Sequence, residues 1–352
     1  GGTVGTIMGA FVALLFVFVV FVAYYQLFRK KMRRDRSRKR ESYQKIYRIL
    51  FLTIAPVILS ATVYNISDFL DTAIFNNIMA AQGYQKTEYA SLMGIFGSQF
   101  NTLINVPLSV ATALAASLIP SLVATVQTGS RKQVHNKIST AIRFNMMIAI
   151  PCAVGLTILA KPLMDLLFYT EDNTTAALML QLGAVSVVFY CPSTLTNSVL
   201  QGLDDMMTPV KNSSIALLVH VLSLLVMMVA FKWNIYAVVM SRTIFAATVY
   251  MLNSHALRER IGYVQERKRT FILPTIAAGI MGAVAVIVHL LFELFAGTRI
   301  ATVFALLAAV PTYGIALVLL GGVTEEEIEN MPKGTMILAL CRKMHLFRDV
   351  YR

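Results

Sequence analysis

Charged side chains are scarce in this sequence. Only 14% of its 352 residues are charged, whereas 57% are hydrophobic, and the mean hydropathy is +0.67. An average soluble domain has about 25% charged residues. This shortage argues against a soluble enzyme or binding module, and we expect the lipid bilayer to be the solvent of the chain.

Cysteines and the residues of common catalytic motifs are also few. The three cysteines, Cys152, Cys191 and Cys341, have no metal-ligand spacing between them, so they predict neither a disulfide framework nor a zinc site. A Walker loop, a zinc signature and a Gly-x-Ser-x-Gly elbow are all absent. We therefore expect no catalytic residues, no metal and no cofactor, and a protein that is not an enzyme.

Long apolar runs are what the sequence has in abundance. A helix needs about 20 such residues to cross the hydrocarbon core, and nine windows reach that length. They do not alternate with a period of two, which excludes a barrel and predicts an all-α polytopic membrane protein, a helical transporter bundle. The predicted spans are 3–28, 46–80, 91–123, 138–160, 175–200, 211–231, 235–256, 271–296 and 300–321.

The positive charge is concentrated in alternate loops. The formal net charge is +13, and the segment 29–40 alone holds nine basic residues, with more at 131–137 and 258–269. The positive-inside rule makes this side cytoplasmic, with the amino terminus outside and the carboxyl terminus inside. The run 29–40 lacks aromatics and a recognition fold, so we expect it to meet membrane lipids and not nucleic acid.

The first predicted span is a true crossing rather than a signal peptide, because its basic cluster follows the apolar run instead of preceding it. The chain begins at Gly1, directly at the edge of this helix and without an initiator Met. We therefore expect that an amino-terminal part precedes the sequence.

One predicted span carries carboxylates. In the segment VYNISDFLDTAIF, Asn65, Asp68 and Asp71 recur at three-residue steps and so share one helix face. A charge centred in hydrocarbon costs about 3 kcal/mol or more, so this face looks into the bundle or a watery cavity. These three residues are candidate substrate- or ion-binding residues. A structural ion pair and exposure at the outer interface are the alternatives.

Two arginines inside spans are natural partners of these aspartates or ligands of a phosphate. Arg143 and Arg242 are both expected near cytoplasmic ends of their spans. The planar guanidinium pairs bidentately with phosphoryl oxygens, whereas snorkelling to the interface is the simpler alternative for each. His220 is isolated in its span and is expected to be a satisfied interior residue.

Three ordered blocks of the sequence resemble a known family. They are the stretch from Ile119 to Phe168, LQGLDDMMTPVKN at 200–212 and GGVTEEEIENMPKG at 321–334. They are similar to the polysaccharide and lipid-linked oligosaccharide flippases, most closely to the stage V sporulation protein B and lipid II flippase branch of the multidrug/oligosaccharidyl-lipid/polysaccharide exporter superfamily. Within the first block the matching positions are Ile119, Pro120, Ser121, Arg131, Arg143, Pro151, Gly155 and Leu166 to Phe168.

The resemblance implies an architecture of about fourteen helices in two lobes plus an extra pair, of the kind that rocks in transporters. Residues 1–28 would then be the last helix of an incomplete amino-terminal lobe and 29–45 a basic cytoplasmic linker. Residues 46–256 would be the six-helix second lobe, 257–321 the extra pair and 322–352 a cytoplasmic tail.

The resemblance also implies a function. An undecaprenyl-pyrophosphate-linked sugar, a polysaccharide or peptidoglycan precursor, would be flipped across a bacterial cytoplasmic membrane by alternating access, with a proton or sodium as coupling ion. Lipid II flippases carry an arginine five residues before the proline that Pro107 matches, and Thr102 stands there. A cation-coupled multidrug exporter of the same superfamily is one alternative. A membrane-embedded glycosyltransferase with a metal at Asp204 and Asp205 is another.

Overall fold

The computed structural model describes residues 2–34, 42–169 and 172–325. Every regular element in these ranges is helical, which confirms the predicted all-α class. The α-helices are α1 (Gly2–Arg34), α2 (Tyr43–Ala81), α3 (Lys86–Ile95), α4 (Asn101–Thr128), α5 (Arg131–Ile158), α6 (Ala160–Leu167), α7 (Thr174–Gly183), α8 (Ser186–Gly202), α9 (Met207–Val229), α10 (Ile235–Ile261) and α11 (Leu273–Leu319). Two π-helical segments, π1 (Phe96–Phe100) and π2 (Lys268–Ile272), precede α4 and α11.

Six helical runs of the described residues are long and apolar enough to cross a membrane, or seven if α7 and α8, bent by 50°, form one span. One of them, Lys268–Leu319, is interrupted at Gly297, where φ is +77° and glycine is strongly favoured. This run covers two predicted spans, whereas α2 is not among the six. The multi-pass class is therefore confirmed, and the total of nine spans stays a prediction.

Two compact units divide within α2, after Ile54. The first holds α1 and the start of α2, and apolar side chains of α1 such as Phe16 and Phe18 are exposed. Part of the basic run 29–40 and all of 326–352 lie outside the described residues. The predicted linker, lobes and tail stay predictions.

The second unit, from Ala55, holds the core. Within it α8 packs against α4 and α10, and α9 packs against α10. Small buried residues such as Ala111, Ala115 and Ala237 line these helices, and small side chains let helix backbones approach closely in a membrane. The helices around the site are thus held by close packing.

A buried amide network joins three of these helices. Asn253 Nδ2 of α10 donates to Asn197 Oδ1 at 2.7 Å and to Thr196 Oγ1 at 3.2 Å, both on α8. Asn212 Nδ2 of α9 donates to Asn253 Oδ1 at 2.8 Å. Polar groups that find partners across helices in this way fix their register.

The carboxylate of Asp205 has partners in and near the turn between α8 and α9. Its Oδ1 accepts from the backbone N–H of Thr208 at 3.2 Å, its Oδ2 accepts from Thr208 Oγ1 at 2.8 Å, and Arg260 forms an ion pair with it. Partial burial raises the pKa of Asp205, but the bonds from Thr208 and the Arg260 charge outweigh it and hold the pKa below the ordinary value. Among the described residues no three His, Cys, Asp or Glu side chains could hold a metal ion together. The described geometry assigns Asp205 to capping and ion pairing.

Replacing Asp205 by alanine is expected to lower the free energy of unfolding by about 1 kcal/mol at neutral pH, because the first turn of α9 loses its cap. A lowered native pKa gives stability that is present above the unfolded pKa and lost as the pH falls through the native one. Thermal unfolding should therefore separate the variant from the parent at neutral pH and bring them together in acid. A difference that persists in acid would contradict this assignment.

Candidate functional site

Four helices bring polar side chains together in the second unit. Asp68 and Asp71 come from α2, Asn101 begins α4, His220 lies on α9 and Arg242 on α10. We name these five residues the Arg242 cluster, because the guanidinium touches three of the others. The sequence predicted three of its members, the two aspartates and Arg242, as site residues.

Each of the three nitrogen atoms of the Arg242 guanidinium has a partner. Its Nε donates to Asp71 Oδ2 at 2.9 Å, one terminal nitrogen donates to Asn101 Oδ1 at 3.2 Å, and the other is paired with Asp68. The ring centroid of Phe96 lies 4.8 Å from the guanidinium carbon. Two carboxylates and an aromatic face are strong partners for a guanidinium that is removed from water.

Asp71 is the buried centre of the cluster. Its Oδ1 lies 2.7 Å from Nε2 of His220, and both side chains are at most 1% exposed. The ring of Phe245 packs against the imidazole at a centroid distance of 5.9 Å. Both oxygens of Asp71 are therefore occupied, one by His220 and one by Arg242.

The cluster has a buried side and an open side. The Asp68 side chain is 61% exposed, that of Arg242 is 15% exposed, and that of Asp71 is 1% exposed. Asn65 lies one turn before Asp68 on α2 and is exposed. A guanidinium in this position can exchange its open carboxylate for another anion while Asp71 keeps it in place.

Arg143 lies outside the cluster. Its terminal nitrogen donates to Glu266 Oε2 at 2.6 Å, in the loop between α10 and π2, and its side chain is largely buried. Of the two candidate arginines, only Arg242 therefore contacts the aspartates among the bonds described. Both arginines have an acidic partner that is open to solvent.

Arg242 lies near the first residue of α10, at the end opposite to the basic residues of this helix, and its predicted position near a cytoplasmic end stays a prediction. Helix α10 begins at Ile235, capped by the side chain of Asn234, so Arg242 is seven residues from that end. The basic residues Arg258 and Arg260 occupy the last turn at the other end. Arg242 and Arg143 thus belong to different ends of the helical unit.

Asn101, Phe96 and His220 were not predicted as site residues. The backbone N–H of Asn101 bonds to the carbonyl of Phe96, the five-residue step of a π turn, and both side chains contact Arg242. Such π segments are frequent at functional sites. The polar stretch Gly97, Ser98 and Gln99 inside an apolar run is the sequence signal that could have drawn attention to it. His220 is an interior residue as expected, and its Nε2 has Asp71 as partner, whereas its buried Nδ1 has no hydrogen-bond partner among the described residues.

An apolar cavity lies elsewhere in the second unit. It has a volume of about 500 Å³ and is lined by α4, α5, α6 and α11, including Pro107, Pro151, Gly155, Met281 and Tyr313. Almost all of its lining surface is apolar, so it suits a hydrocarbon ligand better than a sugar or phosphate.

Comparisons with known proteins find a family model and individual relatives. The family model described as lipid II flippase MurJ matches residues 2–310. The lipid II flippase MurJ of Bacillus subtilis is 26% identical over 170 residues, which are 46% of this chain and 30% of the relative. The probable lipid II flippase MurJ of Bdellovibrio bacteriovorus is 25% identical over 230 residues, 62% of this chain and 43% of the relative. The chain spans less than half the length of these curated relatives.

Among solved structures, an outward-facing multidrug resistance MATE family transporter of the MOP superfamily aligns over 84% of this chain and 69% of its own length. The identity is 12% and the TM-score 0.46. A likeness of this size supports no statement about function.

Proposed function

The chain belongs to the lipid II flippase MurJ family, and we propose that it takes part in moving an undecaprenyl-pyrophosphate-linked sugar, a peptidoglycan or polysaccharide precursor, across the bacterial cytoplasmic membrane. The observation that carries this proposal is the Arg242 cluster, a guanidinium held inside an apolar helical unit with one open carboxylate partner. No bond of the substrate is made or broken, so the protein acts as a carrier and not as an enzyme.

Arg242 is the residue that we propose binds the diphosphate. The anion replaces the open carboxylate of Asp68 and pairs with the guanidinium, while the buried Asp71 keeps the guanidinium in place. The family resemblance implies an arginine at position 102, where Thr102 stands, and Arg242 reaches the neighbouring Asn101 from another helix. Arg242 of α10 thereby supplies a positive charge next to position 102 of α4.

Arg143 is a second anion-binding residue in this proposal, at the opposite end of the helical unit. Its partner Glu266 is half-exposed and can be displaced in the same way as Asp68. The diphosphate would meet Arg143 in the state open to the cytoplasm and Arg242 in the state open to the outside. After the diphosphate leaves, each carboxylate pairs with its arginine again. Asn65 and Asp68 line the outer part of the route.

The polyprenyl tail needs an apolar surface of its own. The cavity of about 500 Å³ among α4, α5, α6 and α11 offers one. Two prolines, Pro107 of α4 and Pro151 of α5, interrupt the backbone ladder of its walls. Alternating access follows if ions or substrate bind the two states with different affinity.

A cation-coupled multidrug exporter of the same superfamily is less well supported. Such a carrier would hold cationic drugs against free carboxylates. In the Arg242 cluster, however, Asp68 and Asp71 already pair with Arg242, and Asp71 also pairs with His220.

Replacing Asp68 by asparagine in the whole protein tests the proposal. Asp68 competes with the diphosphate for Arg242, so without its charge the anion is held more tightly by up to about 1 kcal/mol. Release then slows, and we expect the rate at which the headgroup appears outside to fall by up to about fivefold. Asp68 is exposed, and the fold should tolerate the change. The control is Glu259→Gln, an exposed carboxylate at the far end of α10 that pairs with His255. Unchanged flipping at normal expression would remove Asp68 from the mechanism.

A further inference from the structure

The charges of the Arg242 cluster do not balance without a proton. Asp68 and Asp71 carry two negative charges and Arg242 carries one positive charge, and His220 is the remaining titratable member. His220 and Asp71 are buried, and Asp71 shares the single guanidinium with Asp68, so its charge is only partly compensated, which is unfavourable in such a site. One proton on the imidazole brings the sum to zero.

We propose that His220 and Asp71 together form a binding site for one proton, and that the Arg242 cluster couples transport to this proton rather than to a sodium ion bound in its place. The site follows from the geometry of the cluster, whereas its use in transport rests on the proposed function. The sequence left proton and sodium as equal alternatives, and the arrangement of donors and acceptors separates them.

The buried oxygen atoms of the cluster are already taken, which leaves sodium without the ligands that it needs there. A hard cation needs several oxygen atoms. Both oxygens of Asp71 face nitrogen atoms, Nε2 of His220 at 2.7 Å and Nε of Arg242 at 2.9 Å. The Oδ1 of Asn101 also accepts from Arg242, so the guanidinium already occupies the place of a bound cation.

The surroundings of His220 offer few other charges. On α9 itself the single charged residue is Lys211, nine residues away near the helix start. From α2 the imidazole meets Asp71, with Asp68 behind Arg242, and from α10 it meets the uncharged ring of Phe245. Helix α8 also packs against α9, but it carries no charged residue between Ser186 and Gly202, and its Tyr190 ring lies against Phe245.

Protonation changes how strongly Arg242 is held. With an imidazolium beside it, Asp71 shares its charge between His220 and Arg242, so the guanidinium is freer to pair with an external anion. Without that proton, the neutral imidazole offers Asp71 a hydrogen bond but no charge, and Arg242 is the single positive charge of the cluster. Proton uptake and diphosphate binding therefore favour each other, and the coupling is reciprocal.

Nuclear magnetic resonance of the imidazole nitrogens tests the proton site directly. The whole protein would be labelled with ¹⁵N-histidine in lipid nanodiscs, and His220 would be assigned among the five histidines of the sequence by loss of its signal in His220→Gln. We expect the His220 signal to titrate while the protein stays folded, and its titration to change in Asp71→Asn. Sodium chloride and choline chloride should affect it equally. An imidazole that stays neutral throughout, or a shift caused by sodium alone, would overturn the proposal.

The coupling role is tested separately by flipping assays at about pH 6 and about pH 8, the range in which histidine changes charge. We expect the flipping rate of the parent to differ by about tenfold between the two pH values. In His220→Gln this difference should disappear. His289→Gln is the control, since His289 is a buried histidine of α11 whose partner is Glu293. A parent that flips no lipid-linked sugar at all would defeat the proposed function and leave the proton site to the resonance experiment. A pH difference retained in His220→Gln would defeat the coupling role alone.

Discussion

Replacing Arg242 by alanine is expected to lower the free energy of unfolding by about 3 to 5 kcal/mol, because it leaves the carboxylate of Asp71 buried without its guanidinium partner. Asp71 is 1% exposed, so its charge depends on its protein partners. His220 can then support only one of the two oxygens. The loss should appear as a lower midpoint of thermal unfolding for the purified protein.

Two companion variants separate this effect from a general loss of packing. Asp68→Asn removes an exposed partner of the same guanidinium and should change the free energy by no more than about 1 kcal/mol. The double variant Arg242→Ala with Asp71→Asn removes both buried charges and should recover much of the stability, since the remaining amide can still bond to His220. If the loss of stability in the double variant equals the sum of the losses in Arg242→Ala and Asp71→Asn, the unpaired carboxylate of Asp71 is not what destabilises Arg242→Ala.

Replacing Gly183 by alanine is expected to destabilise the second unit by about 1 to 3 kcal/mol, the usual range for an overpacked core. A Cβ atom at Gly183 would lie 2.4 Å from Cε2 of Phe100 and 2.7 Å from Cγ1 of Val239. Phe100 is the last residue of π1 and directly precedes Asn101. Displacing its ring should also pull Asn101 away from Arg242, so flipping should fall together with stability.

The matched control for this variant is Gly279→Ala. Gly279 lies in α11, and a Cβ there would meet nothing within 4 Å. Alanine is the better helix former, so the control should be neutral or stabilising by up to about 1 kcal/mol. In the double variant Gly183→Ala with Phe100→Leu, the smaller side chain at position 100 makes room for the added methyl group. This variant should recover part of the lost stability. Equal effects of the two glycine replacements would show that the crowding at Phe100 is not responsible.

The sequence predicted the helical class and the polar face of α2 because both depend on local spacing. Apolar runs of membrane length and three-residue steps between Asn65, Asp68 and Asp71 are visible in a single segment. The break at Gly297 falls between the predicted spans 271–296 and 300–321. The bend between α7 and α8 was not visible, since it concerns backbone geometry inside the single predicted span 175–200. The helix count was the weaker prediction for that reason.

The partners of the polar face could not be derived from spacing. Arg242 is 171 residues from Asp71 in the chain and His220 is 149 residues away. No periodicity connects such distant positions, and only the packing of α2, α4, α9 and α10 brings them together. A lone interior histidine is typical of ordinary packing, so His220 carried no signal of its own.

The amide network around Asn253 has a mechanical consequence. Because its side chain is bonded to both α8 and α9, sliding any one of the three helices along its axis would tear neutral polar pairs apart in a medium that cannot replace them. The three helices α8, α9 and α10 therefore form one rigid block. We therefore expect α8, α9 and α10 to move together, with any change of shape falling in the segments that flank them.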